Sequence, residues 1–265
     1  MTARTLSAIA RAVMALQLLA VGPALAQGMM SGVDLSSPAF TKAEFSRADI
    51  ETLIAKRPAG GKLDLSDKSL NGLDLSKLDL AGANLRGARL NRAKLAGADL
   101  RGALLDQAWA LEADFTAANL EGAHLFGTQL LRAKMDGARL AKARIAGDMS
   151  GASLVGADLS GADGSADMKN QSMGLMHVVL RSADMREANF AGADFSRADL
   201  EFAKLNNADF SGADLSGADA AGADFRGARF GGAKLEGVDV TSARISAGDL
   251  PLFAGAIHLD RVLRE

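Results

Sequence analysis

The sequence predicts an all-β solenoid: short straight sides that turn at corners, closing coils that stack into a narrow rod. Three observations predict it. An apolar residue returns at every fifth position from Leu65 through Leu70, Leu75, Leu80, Leu85, Leu90, Leu95, Leu100 and Leu105 to Ile145, and again from Met185 through Phe190, Phe195 and Leu200 to Ile245. A small residue stands two before most of these centres, as Ala83, Ala88, Ala93, Ala98 and Ala103 do. A period of five matches neither the 3.6 of an amphipathic helix nor the alternation of a strand, which leaves a repeat architecture.

The unit reads A-(D/N/R/K)-L-x-G, as in Ala83-Asn84-Leu85-Arg86-Gly87 and Ala98-Asp99-Leu100-Arg101-Gly102. If the centre and the small residue two before it point inward, the other three face outward, and a small residue lets the corner turn. Four such sides close a square of about twenty residues, and coils stack at about the spacing of neighbouring strands. Leu63 to Leu250 then gives about nine coils, a rod of roughly 40 to 45 Å in which each coil touches only its neighbours. This cadence resembles the pentapeptide-repeat family over residues 62–250. The resemblance implies a right-handed quadrilateral β-helix with short helical caps, and little about function.

Residues 1–26 read as a cleavable signal peptide: Arg4 and Arg11, no acidic residue, an apolar run from Ala12 to Val21, then Pro23 and an Ala24-Leu25-Ala26 site with cleavage after Ala26. A buried N-terminal helix is the rival assignment. The run is too short for a membrane span, so a periplasmic or secreted protein is expected. With no cysteine there is neither a disulfide nor a lipid-modified cysteine. Loss of Arg4 and Arg11 moves the formal charge from −2 to −4, and no polybasic patch points to nucleic acid or a membrane surface.

Residues 27–39 read as a flexible linker and 40–61 as an N-terminal capping helix. Thr41 and Glu44 have capping-box spacing, Phe40 and Phe45 that of a hydrophobic staple, and Pro58, Gly60 and Gly61 stop the helix. Phe40, Phe45 and Ile50 also fall in phase with the five-residue register, so this stretch is alternatively one more coil. Either way it covers an open end.

Within the solenoid, residues 62–250, the centres Met149, Leu154 and Leu159 are shifted back by one, and the phase returns by Leu180. One residue therefore reads as lost near Asp148 and one as gained in the irregular segment 164–179. That segment holds Met168, Met173, Met176 and His177, three thioethers and an imidazole of the kind that suits Cu(I). Methionines filling an irregular stretch of core account for the same residues. No cofactor is expected, with Cu(I) as the alternative. Asn170-Gln171-Ser172 matches a glycosylation sequon, a weak signal.

Residues twenty apart are stacked neighbours. Asp74, Lys94, Asp114 and Lys134 alternate in sign, as do Asp184, Lys204, Asp224 and Arg244. Asp199, Asp219 and Asp239 instead stack like with like, a stripe that either a solvated face tolerates or a basic partner occupies. Phe190, Phe210 and Phe230 should stack inside. Trp109, beside the small centre Ala110, should face outward, as a partner contact or flat across adjacent coils. Pro251 should end the solenoid. Residues 251–265 then read as a helical C-terminal cap with an apolar face of Ile257, Leu259, Val262 and Leu263, through which the resemblance suggests a homodimer.

Catalysis finds little support. His124, His177 and His258 are far apart in the register, the glycines form no phosphate loop, and the run from Gly156 to Asp163 is not a calcium-binding nonapeptide. The expected function is non-catalytic binding of another envelope protein through Trp109, the Asp199, Asp219 and Asp239 stripe, or the segment 164–179. The resemblance offers a second function, because some family members mimic duplex DNA and bind type II topoisomerases. The export signal and the basic residues between the acidic ones depart from that pattern. A periplasmic copper-handling protein is the third option.

Overall fold

The structure, a computed structural model, describes residues 37–58, 60–165 and 177–264. The chain climbs in four-sided coils, each joined to the next by parallel bridges. The bridges define four columns of outward residues, beginning at Asp64, Ser69, Asp74 and Asp79. The first column has nine rungs among the described residues: Asp64, Asn84, Leu104, His124, Arg144, Asp163, Asp194, Asp214 and Lys234.

Each side follows from the unit. Leu85 and Ala83 are both fully buried, while Asn84 between them stays at the surface. The Leu85 N–H donates to Leu104 O in one neighbouring coil (2.7 Å) and the Asn84 N–H to Leu63 O in the other (2.8 Å). At the corner the Ala88 N–H returns to Leu85 O (3.0 Å), and the residue before it, Gly87, takes φ 63°. A turn with positive φ at its third residue favours glycine there. Aspartate recurs one place before the centre for a local reason as well. Its carboxylate accepts the N–H two residues on, as Asp74 does from Ser76 (3.0 Å) and Asp214 from Ser216 (2.9 Å).

The aromatic core forms as expected. The Phe210 ring lies between Phe190 (4.8 Å, 10° between planes) and Phe230 (5.6 Å, 5°), and the edge of Phe253 closes the stack at 5.0 Å from Phe230.

Two breaks interrupt the register. Strand β1 (His124–Gln129) pairs in parallel with β2 (Arg144–Asp148), and a bulge after Phe126 brings Gln129 opposite Asp148, nineteen residues on. That is the single residue the sequence lost. The gain is larger than expected: Asp163 in the first column and Val179 in the second are sixteen residues apart where a regular side uses five. The excess is eleven, not one, because a phase of five cannot distinguish one extra residue from one plus two whole units. Residues 166–176 lie outside the described residues.

Both ends differ from the expected caps. Helix α1 (Pro38–Thr41) is followed by an extended stretch in which Ala43 bridges Leu70 in antiparallel fashion and the Glu44 N–H donates to Ser69 O (2.7 Å). Only then does α2 (Arg47–Ala55) begin, capped reciprocally by Ser46 and Asp49 rather than by Thr41 and Glu44. The physical reason is the open edge of the first coil. Lys42 to Glu44 satisfy its backbone in extended form, and the helix starts after them. Ile50 then plugs the core, and Arg47 and Arg57 tie α2 to Asp74 (3.2 Å) and Asp79 (2.6 Å).

At the other end Pro251 sits inside a 3₁₀ helix, Ala247–Phe253, and does not end the solenoid. Ile257 still bridges Asp239, and β4 (Leu263–Arg264) pairs in parallel with β3 (Arg244–Ile245). Besides a three-residue 3₁₀ turn, Leu259–Arg261, the cap is a last incomplete coil rather than an α-helix. Pro251 is tolerated because a short 3₁₀ segment asks fewer backbone donors of it than a ladder would.

Candidate functional site

Asp199, Asp219 and Asp239 are successive rungs of the second column. Each spends one oxygen on its own turn, accepting the N–H of Glu201 (3.2 Å), Ala221 (3.1 Å) and Thr241 (2.9 Å). The two ends of the stripe have hydrogen-bonding partners. The Arg181 guanidinium donates from Nε to Asp199 and from Nη1 to Glu201, and His258 Nδ1 lies 3.1 Å from Asp239. Burial works against ionisation of Asp239, yet hydrogen bonds from Thr241 and His258 hold it below the ordinary aspartate value.

The middle of the stripe has no direct ion pair, and Arg181 acts on Asp219 only through its charge. Among the described residues no basic group lies within 4 Å of Asp219, and its neighbour is another carboxyl, that of Glu201. Burial raises Glu201; Arg181 pulls it back; the hydrogen bond to Asp219 and the charges of Asp219 and Asp199 push it up again, leaving it above the usual glutamate value.

Beside this middle rung stands Phe202, the most exposed large apolar residue among those described, at 63%. It occupies the corner position with φ 58°, a conformation where most units place glycine and bulky side chains are rare. Its ring lies over Gly222 of the next coil, whose added Cβ would come within 2.5 Å of Cδ1. The sequence reading missed Phe202, although it is the sole aromatic at a corner position among the described residues.

The eleven-residue excess hid the place of Asp163 in a second acidic run. Asp163, Asp194 and Asp214 stack in the first column, and Lys234 ends the run at 2.9 Å from Asp214. In the third column Lys204 and Arg244 lie 3.7 Å and 3.8 Å from Asp184 and Asp224, a ladder as expected, whereas Asp74 pairs with Arg47 of α2.

Trp109 is half-buried, and Phe40 of α1 packs on it at 5.2 Å, tilted by 59°. The indole therefore packs against α1. His177 lies just before the buried Val178, and Met168, Met173 and Met176 of the candidate Cu(I) set lie outside the described residues. A groove bounded by Arg57, Lys62, Asp79, Asp99 and Arg101 is open to solvent, and its arginines already pair with Asp79 (2.6 Å) and Asp99 (2.5 Å).

A family model described as pentapeptide repeats matches residues 69–107, 112–147, 175–212 and 203–241, more than half of the chain. The chain belongs to the pentapeptide-repeat family. Solved structures of pentapeptide-repeat proteins include similar ones. HetL of Nostoc sp. strain PCC 7120, involved in heterocyst differentiation regulation, is 26% identical over 81% of this chain and 100% of its own, with a TM-score of 0.38. QnrB1, a plasmid-mediated fluoroquinolone resistance protein, is 17% identical over 77% of this chain and 92% of its own, with a TM-score of 0.46. A pentapeptide-repeat protein of the Arabidopsis thaliana thylakoid lumen is 24% identical over 52% of this chain and 69% of its own, with a TM-score of 0.17. No curated protein matches.

Proposed function

We propose that this pentapeptide-repeat protein is an exported, non-catalytic scaffold that binds another protein of the periplasm or envelope. The observation that carries the binding role is the division of the unit into two kinds of position. Centres and their alanines fill the interior, so the groups able to do chemistry stand on outward columns, where they pair with one another along the rod. Catalysis needs groups converging in a sheltered pocket; a flat-sided rod suits recognition by surface. The basic start, short apolar run and Ala24-Leu25-Ala26 site support export.

Fractionation of the full-length protein, with the mass of its mature N-terminus, tests this. A periplasmic product beginning at Gln27 is expected. An unprocessed cytoplasmic protein would overturn the export half.

Binding a type II topoisomerase as a DNA mimic is the second proposal. The adjacent runs Asp163–Asp194–Asp214 and Asp199–Asp219–Asp239 favour it, and Arg181, Lys234 and the signal-like N-terminus count against it. A pull-down with the topoisomerase decides. Copper handling through Met168, Met173, Met176 and His177 is the third proposal, and Cu(I) titration with a competing chelator tests it.

A further inference from the structure

The corner of the rod beside the middle of the acidic stripe is built like its neighbour, with one charge missing. One coil below, Arg181 reaches forward to Asp199 and Glu201 of the coil above it. One coil up, the residue equivalent to Arg181 is Glu201 itself, and it faces Asp219, so an acid stands against an acid where the repeat had placed a guanidinium. Next to this gap the Cδ1–Cε1 side of the Phe202 ring packs against Gly222, and the residue is 63% exposed.

We propose that this corner docks an arginine-bearing segment of a partner protein, whose guanidinium stacks on Phe202 and pairs with Asp219 and Glu201. The inference rests on the scaffold role proposed above and names the chemistry of the partner. An aromatic face attracts a cation through its quadrupole, and a planar guanidinium both stacks and bonds carboxylates in a fork. Lysine, a compact and strongly hydrated charge, does this less well. Charge complementarity favours one occupant: the surface offers carboxylates and an exposed ring, and lacks the cation that Arg181 supplies to its neighbour.

The test uses the full chain and labelled nona-arginine and nona-lysine peptides, followed by fluorescence anisotropy. Wild-type protein is expected to bind nona-arginine about five-fold more tightly than nona-lysine, from a cation–π contribution of the exposed class. Phe202→Asn should abolish that preference and still fold, because Asn207 occupies the same corner position one unit later with φ 60°. Glu201→Arg should supply the missing guanidinium internally and release nona-arginine, at the cost of the Arg181 bond to Glu201. Asp194→Lys, a control for net charge on the neighbouring column, should weaken both peptides and keep the preference.

Equal affinity for the two peptides, or nona-arginine binding indifferent to Phe202→Asn and Glu201→Arg, would overturn the proposal. A photo-crosslinker at position 202, compared in the native host with one on the fourth column, separates the two claims. Capture from the fourth column alone overturns the corner and leaves the scaffold standing. Capture from neither face overturns both. Capture at 202 that Glu201→Arg abolishes supports the corner.

Discussion

Replacing Phe210 by alanine should uncouple the upper coils from the lower ones. Phe210 is 1% exposed, stacked between Phe190 and Phe230, with the edge of Phe225 at 5.9 Å. Truncating a buried phenylalanine costs about 3 to 5 kcal/mol, and each lost aromatic pair contributes within that figure about 0.5 to 1.5 kcal/mol. The walls around the gap are held by the ladder, with Phe210 N–H on Arg229 O (2.7 Å) and Asp209 N–H on Ala188 O (2.9 Å), so collapse into the cavity is limited and about 4 kcal/mol is expected. Because a solenoid's stability is a sum of units and nearest-neighbour contacts, the loss should stay local. Native-state hydrogen exchange reads it. Amides of Asp214 and Lys234 should open about a thousand-fold more often, while Leu85 and Leu90 keep their protection. A fall shared equally along the rod, or one below about ten-fold, would refute the nearest-neighbour account.

Four other outcomes are expected. Acid should unfold the upper coils first: hydrogen bonds from Arg226 and Arg229 hold Asp224 and Asp209 at about 2, below the ordinary 3.8, so their stabilisation is complete above about pH 4 and lost as pH falls toward 2. After allowance for solvent around Arg226, Asp224 contributes about 1 kcal/mol, and Asp224→Asn should flatten that limb of a pH-melting curve. Glu201 has the opposite sign, so Glu201→Gln should remove a loss of stability that sets in as pH rises above the ordinary glutamate value of 4.5. Gly164→Ala should cost about 1 to 3 kcal/mol in urea denaturation, since the new Cβ would lie 2.9 Å from Val178 Cγ1 and 3.2 Å from the Phe195 ring. Phe40→Ala should shift Trp109 emission to the red without changing the far-ultraviolet dichroism of the coils, because the Phe40 ring packs on the indole at 5.2 Å.

The fold was legible because period, inward small residues and corner residues all pointed the same way. Phe190, Phe210 and Phe230 could be stacked from their numbers alone, since no break falls between them. Numbering failed where the phase returned after two breaks. A count of twenty joins Asp194 to Asp214 but not Asp163 to Asp194, which are column neighbours 31 residues apart. The N-terminal boundary failed for a different reason. Thr41 and Glu44 have capping-box spacing, but Glu44 is taken by the Ser69 N–H (3.1 Å) and Arg89 (3.3 Å), partners contributed by the solenoid rather than by the local sequence. Long-range demand for edge pairing outweighed a local helix signal worth about 1 kcal/mol.

The same partition explains where a functional signal can be carried in such a chain. Centres and alanines are fixed by a narrow interior, and the aspartate before the centre is fixed by the turn that follows it. An acidic column is therefore weak testimony to a partner, since Asp199, Asp219 and Asp239 each hold a turn whether or not anything binds. The two corner residues after the centre carry no such duty beyond tolerating the bend. Arg181, Glu201 and Phe202 are all of that kind, and Phe202 opposes the bend's preference for glycine while leaving its ring in water. A residue that costs stability on both counts gains nothing for the fold by staying, so the surface around it is where recognition by this rod should be sought first.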